Sequence, residues 1–381
     1  MATIKNKGIL ILTPFFSPNI GGVETHLDDL IIKLDELNYR TFVQTYSPIT
    51  TPEAKWKKEE KIGKNINIKR YKWFGKDLFH RIEKNSFLDF IYLTPYLFFR
   101  TFFWLIKNKN KIDIIHTQGI NASLAGIVLK IFFKKKLITS IHAIYEINKN
   151  SITAKLTSQI LNQSDEVLSL SNASKNELLS IGVKPKKIHV YKYWIQTKNF
   201  YPKNKNQVRK KLNFENKFTV LFIGRLIPKK GIRLLGKIAK KISYINFIFI
   251  GTGPESKYLN SLSKYQNIKY LGGIKNTDLL DYYNSADIFC IPSLYKEGFG
   301  RVVMEAIACG LPVVGSNNGG IKEALDDSVS ILTKPTITNI QKSILKLYAD
   351  KKLYQKLKSK TINFAKKNFS DKNIKLIIKF Y

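Results

Sequence analysis

The chain has 381 residues and a mass of 43.9 kDa, which favours two domains over a single core. Its composition, 44% hydrophobic and 12% aromatic, is sufficient for sizeable cores and excludes intrinsic disorder as the main state. Lys and Arg number 64 against 28 Asp and Glu, and the net charge of +36 predicts an anionic partner: a nucleic acid, an acidic membrane surface or a phosphorylated substrate.

The first predicted elements are a strand, a glycine-containing loop and a helix. Residues Gly8–Leu12 form a continuous apolar run that is typical of a buried parallel strand. After a break at Thr13–Pro18, Gly21 and Gly22 lead into a helical pattern. Glycines at the end of a first strand let the backbone approach a ligand closely, and the N-terminus of the following helix offers free N–H donors.

Apolar runs alternate with helical patterns through the rest of the chain. In the first half, further strands are predicted at 39–45, 66–71, 112–116, 137–142 and 166–170. A polar, basic stretch follows, and a second series of strands is predicted at 218–223, 246–250, 268–271, 287–291 and 312–315. The alternation indicates parallel sheets with helices on both faces. The predicted fold class is therefore α/β, with two doubly wound domains and a cleft between them.

Ligands of open parallel sheets bind beyond the carboxyl ends of the strands. The strand at 218–223 is followed by Gly224, Arg225, Lys230 and Gly231. An arginine and a lysine five residues apart, framed by glycines, can converge on one anion, with a planar fork from Arg and a point charge from Lys. The alternative is a pair of solvated surface cations in a lysine-rich protein.

Two glutamates follow the strand at 287–291. Glu297 lies in the predicted loop and Glu305 in the first turns of the next helix. On one continuous helix they would be about 80° out of phase, but the loop and its glycines can turn both carboxylates toward the same ligand. Carboxylates accept hydrogen bonds from hydroxyls such as those of a ribose or hexose. The alternative is an exposed acid and a helix-N-terminal acid that complements the dipole.

The segment from Glu297-Gly298-Phe299-Gly300 to Glu305 closely resembles the donor-binding signature of glycosyltransferase family 4, a group of retaining enzymes with the GT-B fold. Other stretches agree with the family in order: Gly21-Gly22-Val23-Glu24, Gly224-Arg225 with Lys230-Gly231, Gly251-Thr252-Gly253-Pro254-Glu255, and Ser316 with Gly319-Gly320. The resemblance covers nearly the whole chain and implies a GT-B fold of two Rossmann-like domains.

The resemblance also implies roles for individual residues. Arg225 and Lys230 would hold the donor diphosphate and stabilise the charge that develops on it. Glu305 would bind the nucleotide ribose and Glu297 the transferred sugar. The full set of residues implied for donor binding is Gly21, Gly22, Gly224, Arg225, Lys230, Gly251, Gly253, Glu297, Gly298, Phe299, Gly300, Arg301, Val302 and Glu305.

By the same resemblance, residues 1–195 form an acceptor-binding domain, 196–217 a linker, and 218–367 the donor-binding domain. A C-terminal helix at about 368–381 would pack back on the first domain. His116 and Gln118 stand where many relatives carry His-x-His, and they are further catalytic candidates. Gln118 could bind a sugar hydroxyl, whereas His116 could instead be a structural strand residue. Ser171 is expected to cap a helix.

The implied activity is a retaining hexosyl transfer from a UDP- or GDP-linked sugar to a glycan or lipid-linked acceptor, in the synthesis of a cell-surface polysaccharide or lipopolysaccharide. The sequence contains no Asp-x-Asp motif, so we expect no metal and no other cofactor. Two alternatives are a basic nucleic-acid-binding protein and an inactive GT-B-like binding protein. Scattered lysines and the lack of a recognition motif argue against nucleic acid.

The predicted location is cytoplasmic, on the inner face of the cell membrane. Two cysteines, Cys290 and Cys309, suit a reducing compartment, and no secretory signal pattern is present. The aromatic stretch 87–106 is followed by Lys107, Lys109 and Lys111, which suits a helix lying in an anionic membrane surface. The alternative is an internal helix of the first domain.

Overall fold

The computed structural model of the protein describes residues 7–74, 78–82, 85–196 and 198–381. The chain divides into two units. The first comprises Met1–Lys192 together with Asn373–Tyr381, and the second comprises Tyr193–Lys372. Each unit contains a β-sheet of its own, so the predicted α/β class with two Rossmann-like domains is confirmed.

The sheet of the first unit has eight strands: β1 (Gly8–Leu12), β2 (Arg40–Tyr46), β3 (Glu59–Ile62), β4 (Ile66–Tyr71), β5 (Ile114–Gln118), β6 (Lys136–Ile141), β7 (Glu166–Ser169) and β8 (Ile188–Val190). Their order is β3-β4-β2-β1-β5-β6-β7-β8. Neighbouring strands are parallel except for β3 and β4, which pair antiparallel at one edge.

The strands predicted for the first half are present within two residues of their predicted bounds. The residues of β1 and β5, and those of β6 after Lys136, are buried on both faces of the sheet, as expected for buried parallel strands. The edge strands β3 and β8 were not predicted. The sequence of β3 is Glu-Glu-Lys-Ile and mostly exposed, and β8 has only three residues, so neither carries a recognisable apolar pattern.

The helices of this unit before residue 192 are α1 (Gly22–Glu36), α2 (Leu78–Ile82), α3 (Ser86–Leu93), α4 (Pro95–Asn108), α5 (Ile120–Phe133), α6 (Ile152–Gln163) and α7 (Asn172–Ser180). The predicted cap of α7 is confirmed, because the Ser171 hydroxyl accepts a hydrogen bond of 3.1 Å from the Ser174 N–H. Most of these helices connect consecutive parallel strands.

The aromatic stretch at 87–106 is divided between α3 and α4, and Pro95 begins the second helix. One face of α4 is buried in the core of the first unit through Leu97, Thr101 and Leu105. The alternative of a helix packed in the domain is therefore correct for this face. Within the described ranges, we find no helix that combines the length and the apolar character needed to cross a bilayer.

The sheet of the second unit has six strands: β9 (Thr219–Ile223), β10 (Asn246–Ile250), β11 (Ile268–Tyr270), β12 (Ile288–Ile291), β13 (Val313–Ser316) and β14 (Ser330–Thr333). They are all parallel, in the order β11-β10-β9-β12-β13-β14. The predicted strands are confirmed. The edge strand β14 was not predicted, and it is only partly buried.

The helices of this unit are α8 (Lys205–Lys211), α9 (Ile232–Lys241), α10 (Ser256–Asn260), α11 (Leu279–Ser285), α12 (Arg301–Ala308), α13 (Gly319–Ala324), α14 (Ile337–Ala349) and α15 (Lys351–Asn368). The stretch predicted as a linker at 196–217 contains α8. The buried Arg209 of α8 forms an ion pair of 2.8 Å with Asp287, so this helix is part of the second unit.

The C-terminal segment is not the single helix predicted at 368–381. After α15 ends, the chain forms a 3₁₀ turn at Asp371–Ile374 and a short helix, α16 (Lys375–Ile378). Phe369 is buried in the second unit against Phe299, so the chain turns at this residue instead of continuing α15. The last nine residues belong to the first unit.

Candidate functional site

The carboxyl ends of β9 and β12 carry a cluster of polar side chains in the second unit. These parallel strands are neighbours and pair Val220 with Ile288 and Leu221 with Phe289, so the loops that follow them start at the same edge of the sheet. The strand order reverses between β9 and β12. In open α/β sheets such a reversal is the usual position of a ligand site.

Lys230 and Glu297 form a buried ion pair between these two loops. The distance from Lys230 Nζ to Glu297 Oε2 is 2.7 Å, and only 9% of Lys230 and 5% of Glu297 are exposed. Gly231 permits the close approach, because its φ is +74° and a Cβ there would lie 2.1 Å from the Pro292 carbonyl oxygen. The structure thus brings two of the predicted donor-binding side chains, Lys230 and Glu297, into direct contact.

The positive charge of Lys230 is maintained by its carboxylate partner. Burial by itself lowers the pKa of a lysine, but the Glu297 carboxylate outweighs this effect, and the pKa of Lys230 is raised. Lys230 is therefore a cation at neutral pH although it is almost inaccessible to water. A phosphate group that reaches this position meets a fixed positive charge.

Arg225 supplies a second cation near the first. Its side chain is exposed, and its charge is close enough to act against the protonation of Lys230. In the described part of the chain, Arg225 forms no ion pair with a carboxylate. The alternative of two unrelated surface cations is wrong for Lys230, which is buried, whereas Arg225 is free to turn toward an anion.

The loops that follow β9 and β10 are packed against each other by their main chains. The Leu226 N–H donates a hydrogen bond of 2.7 Å to the Thr252 carbonyl, and the Gly224 N–H donates to Ile250. Gly251 is required here because its φ is +144° and a Cβ would lie 1.9 Å from the Gly224 carbonyl oxygen. Gly253 lies two residues further along the same loop and is exposed.

Glu297 is held in place by Ser293, which the sequence does not single out, and by Ser316 and Gly320 of the family-like stretch. The buried Ser293 hydroxyl donates a hydrogen bond to Glu297 Oε1, and the Ser316 hydroxyl donates to the Ser293 carbonyl at 2.7 Å. The Gly320 N–H donates to the Glu297 carbonyl, also at 2.7 Å. Ser293 comes two residues after the end of β12, directly after Pro292. Its place just beyond a buried strand, at the edge where ligands bind, is the feature of the sequence that could have identified it as a site residue.

Glu305 is enclosed by its neighbours in the second unit. Only 1% of the residue is exposed. Its oxygens accept hydrogen bonds from Tyr283 (2.8 Å), Arg301 (3.1 Å) and Asn276 (3.3 Å). Burial raises the pKa of Glu305, and the Arg301 guanidinium counteracts this rise. The ribose-binding role of Glu305 stays a prediction, and in this arrangement the carboxylate mainly organises the start of α12.

The residues between the two glutamates have different surroundings. Phe299 is buried and packs against Tyr193 and Phe369, so its ring belongs to the core of the second unit. The Arg301 guanidinium is also buried, bonded to Glu305 and to the Trp194 carbonyl. Gly298 and Gly300 flank Phe299 in the loop. The N–H groups of Arg301 and Val302 begin α12, where helix donors lack intrahelical partners.

His116 in the first unit has the environment expected of a structural strand residue. It is fully buried on β5, and its ring nitrogens contact the Tyr381 hydroxyl at 2.6 Å and the Ser140 hydroxyl at 2.8 Å. Burial, assisted by the neighbouring His142, lowers the pKa of His116 to about 3. A neutral imidazole with both nitrogens occupied is a poor candidate for proton transfer, so the geometry favours a structural role.

Gln118 lies at the carboxyl end of β5, where it is better placed than His116 to contact a ligand. Its Oε1 accepts a hydrogen bond of 2.7 Å from His142 Nε2, and His142 Nδ1 lies 3.1 Å from the Tyr191 hydroxyl. The buried Gln118 Nε2 has no hydrogen-bond acceptor among the described residues. The amide therefore retains a donor for a ligand hydroxyl. Tyr191 was missed because it follows β8, the three-residue strand that was not predicted.

Gly21 and Gly22 lie where β1 leads through a loop into α1. Gly21 precedes the first residue of α1, and Gly22 is exposed at its N-terminus. His26, one turn further along the helix, is buried with its ring 5.9 Å from the rings of His142 and Tyr191. The first turns of α1 thus lie near His142, whose ring contacts both Gln118 and Tyr191.

The buried His116 makes the stability of the protein pH-dependent. Its pKa of about 3 in the folded state lies below the ordinary value of 6.5, so the unfolded chain binds the proton first as pH falls. The stabilisation is complete above pH 6.5, and we expect its loss below that at about 1.4 kcal/mol per pH unit. Urea unfolding at pH 7.5 and 5.5 measures the slope, which should be smaller in His116→Gln. An equal slope in both proteins would contradict this assignment.

The described residues contain no group of three or more His, Cys, Asp or Glu side chains arranged to hold a metal ion.

Comparison with known proteins agrees with this architecture. The family model of Glycosyltransferase Family 4 matches residues 20–197, and that of Glycosyl transferases group 1 matches residues 204–364. The GPI3 subunit of phosphatidylinositol N-acetylglucosaminyltransferase from Saccharomyces cerevisiae is 26% identical over 344 residues, which cover 86% of this chain and 72% of the yeast protein.

Two solved structures have the same fold as this chain. Anabaena HepE in complex with UDP-glucose superimposes with a TM-score of 0.77 at 18% identity and covers 98% of each chain. Sucrose-phosphate synthase from Thermosynechococcus elongatus superimposes with a TM-score of 0.79 at 20% identity, covering 98% of this chain and 97% of the other. The two family matches, which together span most of the sequence, show that the chain belongs to the glycosyltransferases and combines a Family 4 domain with a group 1 domain, and the structural similarities show the GT-B fold.

Proposed function

We propose that the protein transfers a sugar from a UDP- or GDP-linked donor to a glycan or lipid-linked acceptor, with retention of the anomeric configuration and without a metal ion or other cofactor. The observation that carries this proposal is the buried Lys230–Glu297 pair beside the exposed Arg225, at the strand-order reversal of the second unit. Two cations suit a diphosphate, and a carboxylate suits the hydroxyls of a sugar.

The chemistry follows from these charges. The bond between the anomeric carbon and the donor phosphate breaks, and negative charge develops on the departing diphosphate. Arg225 and Lys230 stabilise that charge. The acceptor hydroxyl bonds to the anomeric carbon on the face that the diphosphate leaves, and its proton passes to a phosphate oxygen. Glu297 accepts hydrogen bonds from the sugar through lone pairs that Lys230 and Ser293 leave available.

Two observations support the substrate classes. The yeast relative carries a name that specifies phosphatidylinositol as its acceptor, which supports a lipid-linked acceptor for this chain. The Anabaena structure was solved with UDP-glucose, which supports a nucleotide-sugar donor. The free amide donor of Gln118 is a candidate contact for a hydroxyl of the acceptor or the sugar. A cytoplasmic enzyme of cell-surface polysaccharide or lipopolysaccharide synthesis is the role that we propose.

A panel of nucleotide sugars tests the proposal. We expect one UDP- or GDP-linked sugar to release its nucleoside diphosphate at an enzyme-dependent rate, faster when a lipid or glycan acceptor is added. The rate should be the same with EDTA, because the cations of the site are side chains. A loss of activity in EDTA that one divalent ion restores would refute metal independence. Nucleotide-sugar binding without any release would favour the inactive binding protein.

A further inference from the structure

The helix α4 has two apolar faces, and only one of them is covered in the first unit. Leu97, Thr101 and Leu105 face the core, as described above. On another face Phe99, Phe103 and Ile106 are spaced by four and three residues, and at least half of each side chain is exposed. Apolar residues at this spacing form one stripe along a helix. A stripe of two phenylalanines and an isoleucine has no evident role in folding the domain.

The end of α5 continues the stripe. The ring of Phe102 on α4 lies 5.4 Å from that of Phe132 and 5.3 Å from that of Phe133, so the two helices are in contact at this point. Ile131 and Phe132 are each 67% exposed. We define the α4–α5 surface as the exposed apolar side chains Phe99, Phe103, Ile106, Ile131 and Phe132. Contiguous apolar exposure of this kind marks an interaction site in a soluble domain.

Positive charge surrounds this surface. Lys107, Lys109 and Lys111 follow the stripe at the end of α4, and Lys134 and Lys135 follow α5. The segments 99–111 and 131–136 contain seven Lys and Arg residues and neither Asp nor Glu. A shallow depression beside Ile131 is lined by Lys130, Lys134, Lys135, Lys136 and Asp165. In this depression Asp165 pairs with Lys130, at 2.6 Å.

We propose that the α4–α5 surface is a docking site for an anionic lipid bilayer, with the apolar side chains inserted among the acyl chains and the surrounding lysines bound to lipid phosphates. The two features occur together in helices that lie in membrane interfaces. A second copy of this chain fits less well, because a symmetric contact through the surface would bring the two sets of lysines against each other. The docking site is independent of the proposed transferase activity and also agrees with the predicted location.

Vesicle flotation tests the proposal on the full-length protein. We expect at least about tenfold more protein to float with vesicles that contain phosphatidylglycerol than with phosphatidylcholine alone. At about 0.5 M NaCl binding to the anionic vesicles should weaken, because salt screens the lysines. The double substitution of Phe103→Ser and Phe132→Ser should reduce binding about tenfold or more. Failure of the unaltered protein to bind either kind of vesicle would overturn the proposal.

Matched controls distinguish binding through the α4–α5 surface from binding caused by the overall positive charge or by exposed aromatic residues elsewhere. Replacing Lys107, Lys109, Lys134 and Lys135 by Gln removes four charges and should abolish the preference for anionic vesicles. The same change at four exposed lysines of α15, namely Lys351, Lys352, Lys356 and Lys360, should leave the preference intact. Tyr244→Ser with Tyr348→Ser is the control for the aromatic pair. Equal losses in the variants and their controls would contradict the assignment.

A labelling experiment reports on the surface directly and needs only single substitutions at the exposed positions Phe103 and Tyr244. The two native cysteines are buried, so a cysteine placed at Phe103 is the one accessible thiol among the described residues. An environment-sensitive fluorophore at Phe103→Cys should shift its emission to shorter wavelength with anionic vesicles, and the same fluorophore at Tyr244→Cys should not. If light scattering instead shows a dimer that Phe103→Ser dissociates, the occupant is a second copy and the bilayer proposal is wrong.

Discussion

Replacing Lys230 by alanine is expected to lower the rate of sugar transfer by about two to three orders of magnitude. This is the usual effect of removing one preorganised group that stabilises developing negative charge. The same change leaves the Glu297 carboxylate buried without its 2.7 Å partner, and we expect the free energy of unfolding to fall by about 3–5 kcal/mol. Nucleotide release under saturating donor and urea unfolding measure the two effects.

Two further variants separate chemistry from stability in this prediction. Arg225 is exposed and has no ion pair with a described carboxylate, so Arg225→Ala should slow transfer by about a hundredfold while the melting temperature is unchanged. Lys229 is exposed in the same short turn as Lys230, and Lys229→Ala is the matched control with nearly full activity. Nearly full activity in both Arg225→Ala and Lys230→Ala would show that the donor diphosphate binds elsewhere.

Replacing Glu305 by alanine is expected to destabilise the second unit by about 3–5 kcal/mol. The change removes the carboxylate that pairs with the buried Arg301 guanidinium at 3.1 Å, and breaking a buried ion pair by removing one member carries a penalty of this size. The hydroxyl of Tyr283 and the amide of Asn276 would lose an acceptor as well. Urea unfolding monitored by circular dichroism measures the difference.

Glu305→Gln keeps the shape of the side chain and one carbonyl acceptor, so it should destabilise the protein less than the alanine variant does. Because Glu305→Gln should remain folded, its affinity for the nucleotide-sugar donor can be measured. A lower affinity than that of the unaltered protein would support the predicted contact between Glu305 and the nucleotide ribose. Glu215→Ala is the control for stability, since Glu215 forms an exposed ion pair with Lys217 and its loss should change nothing measurable. If Glu305→Ala were as stable as Glu215→Ala, the conclusion that Glu305 stabilises the start of α12 through buried hydrogen bonds would be wrong.

The loops that carry the candidate site could be predicted from the sequence because each part is a local pattern. A continuous apolar run predicts a buried parallel strand, and the residues directly after it lie at the ligand-binding edge. Arg225, Lys230 and Glu297 were identified by this reasoning, and the structure places Lys230 against Glu297. The edge strands β3 and β8 could not be predicted from apolar runs, because β3 is mostly polar and β8 is too short for a periodic pattern.

The environment of Glu305 could not be predicted in the same way. Its partners Asn276 and Tyr283 precede it by 29 and 22 residues, on the far side of β12 in the chain. The sequence places Glu305 in the first turns of a helix, and only the tertiary structure shows that its carboxylate is almost completely enclosed. His116 is a similar case, since its contact with Tyr381 joins residues 265 positions apart.

The sequence by itself determined the two-domain α/β class, most of the strands and the side chains offered at the strand ends, because these depend on apolar periodicity and on glycines at fixed local positions. Only the tertiary structure decided which charged groups meet, which are enclosed and which face of α4 is left uncovered. These outcomes depend on contacts between segments that are distant in the chain, such as the 67 residues that separate Lys230 from Glu297. Burial then selects among the possible partners, because a charge removed from water is retained only where another group compensates it.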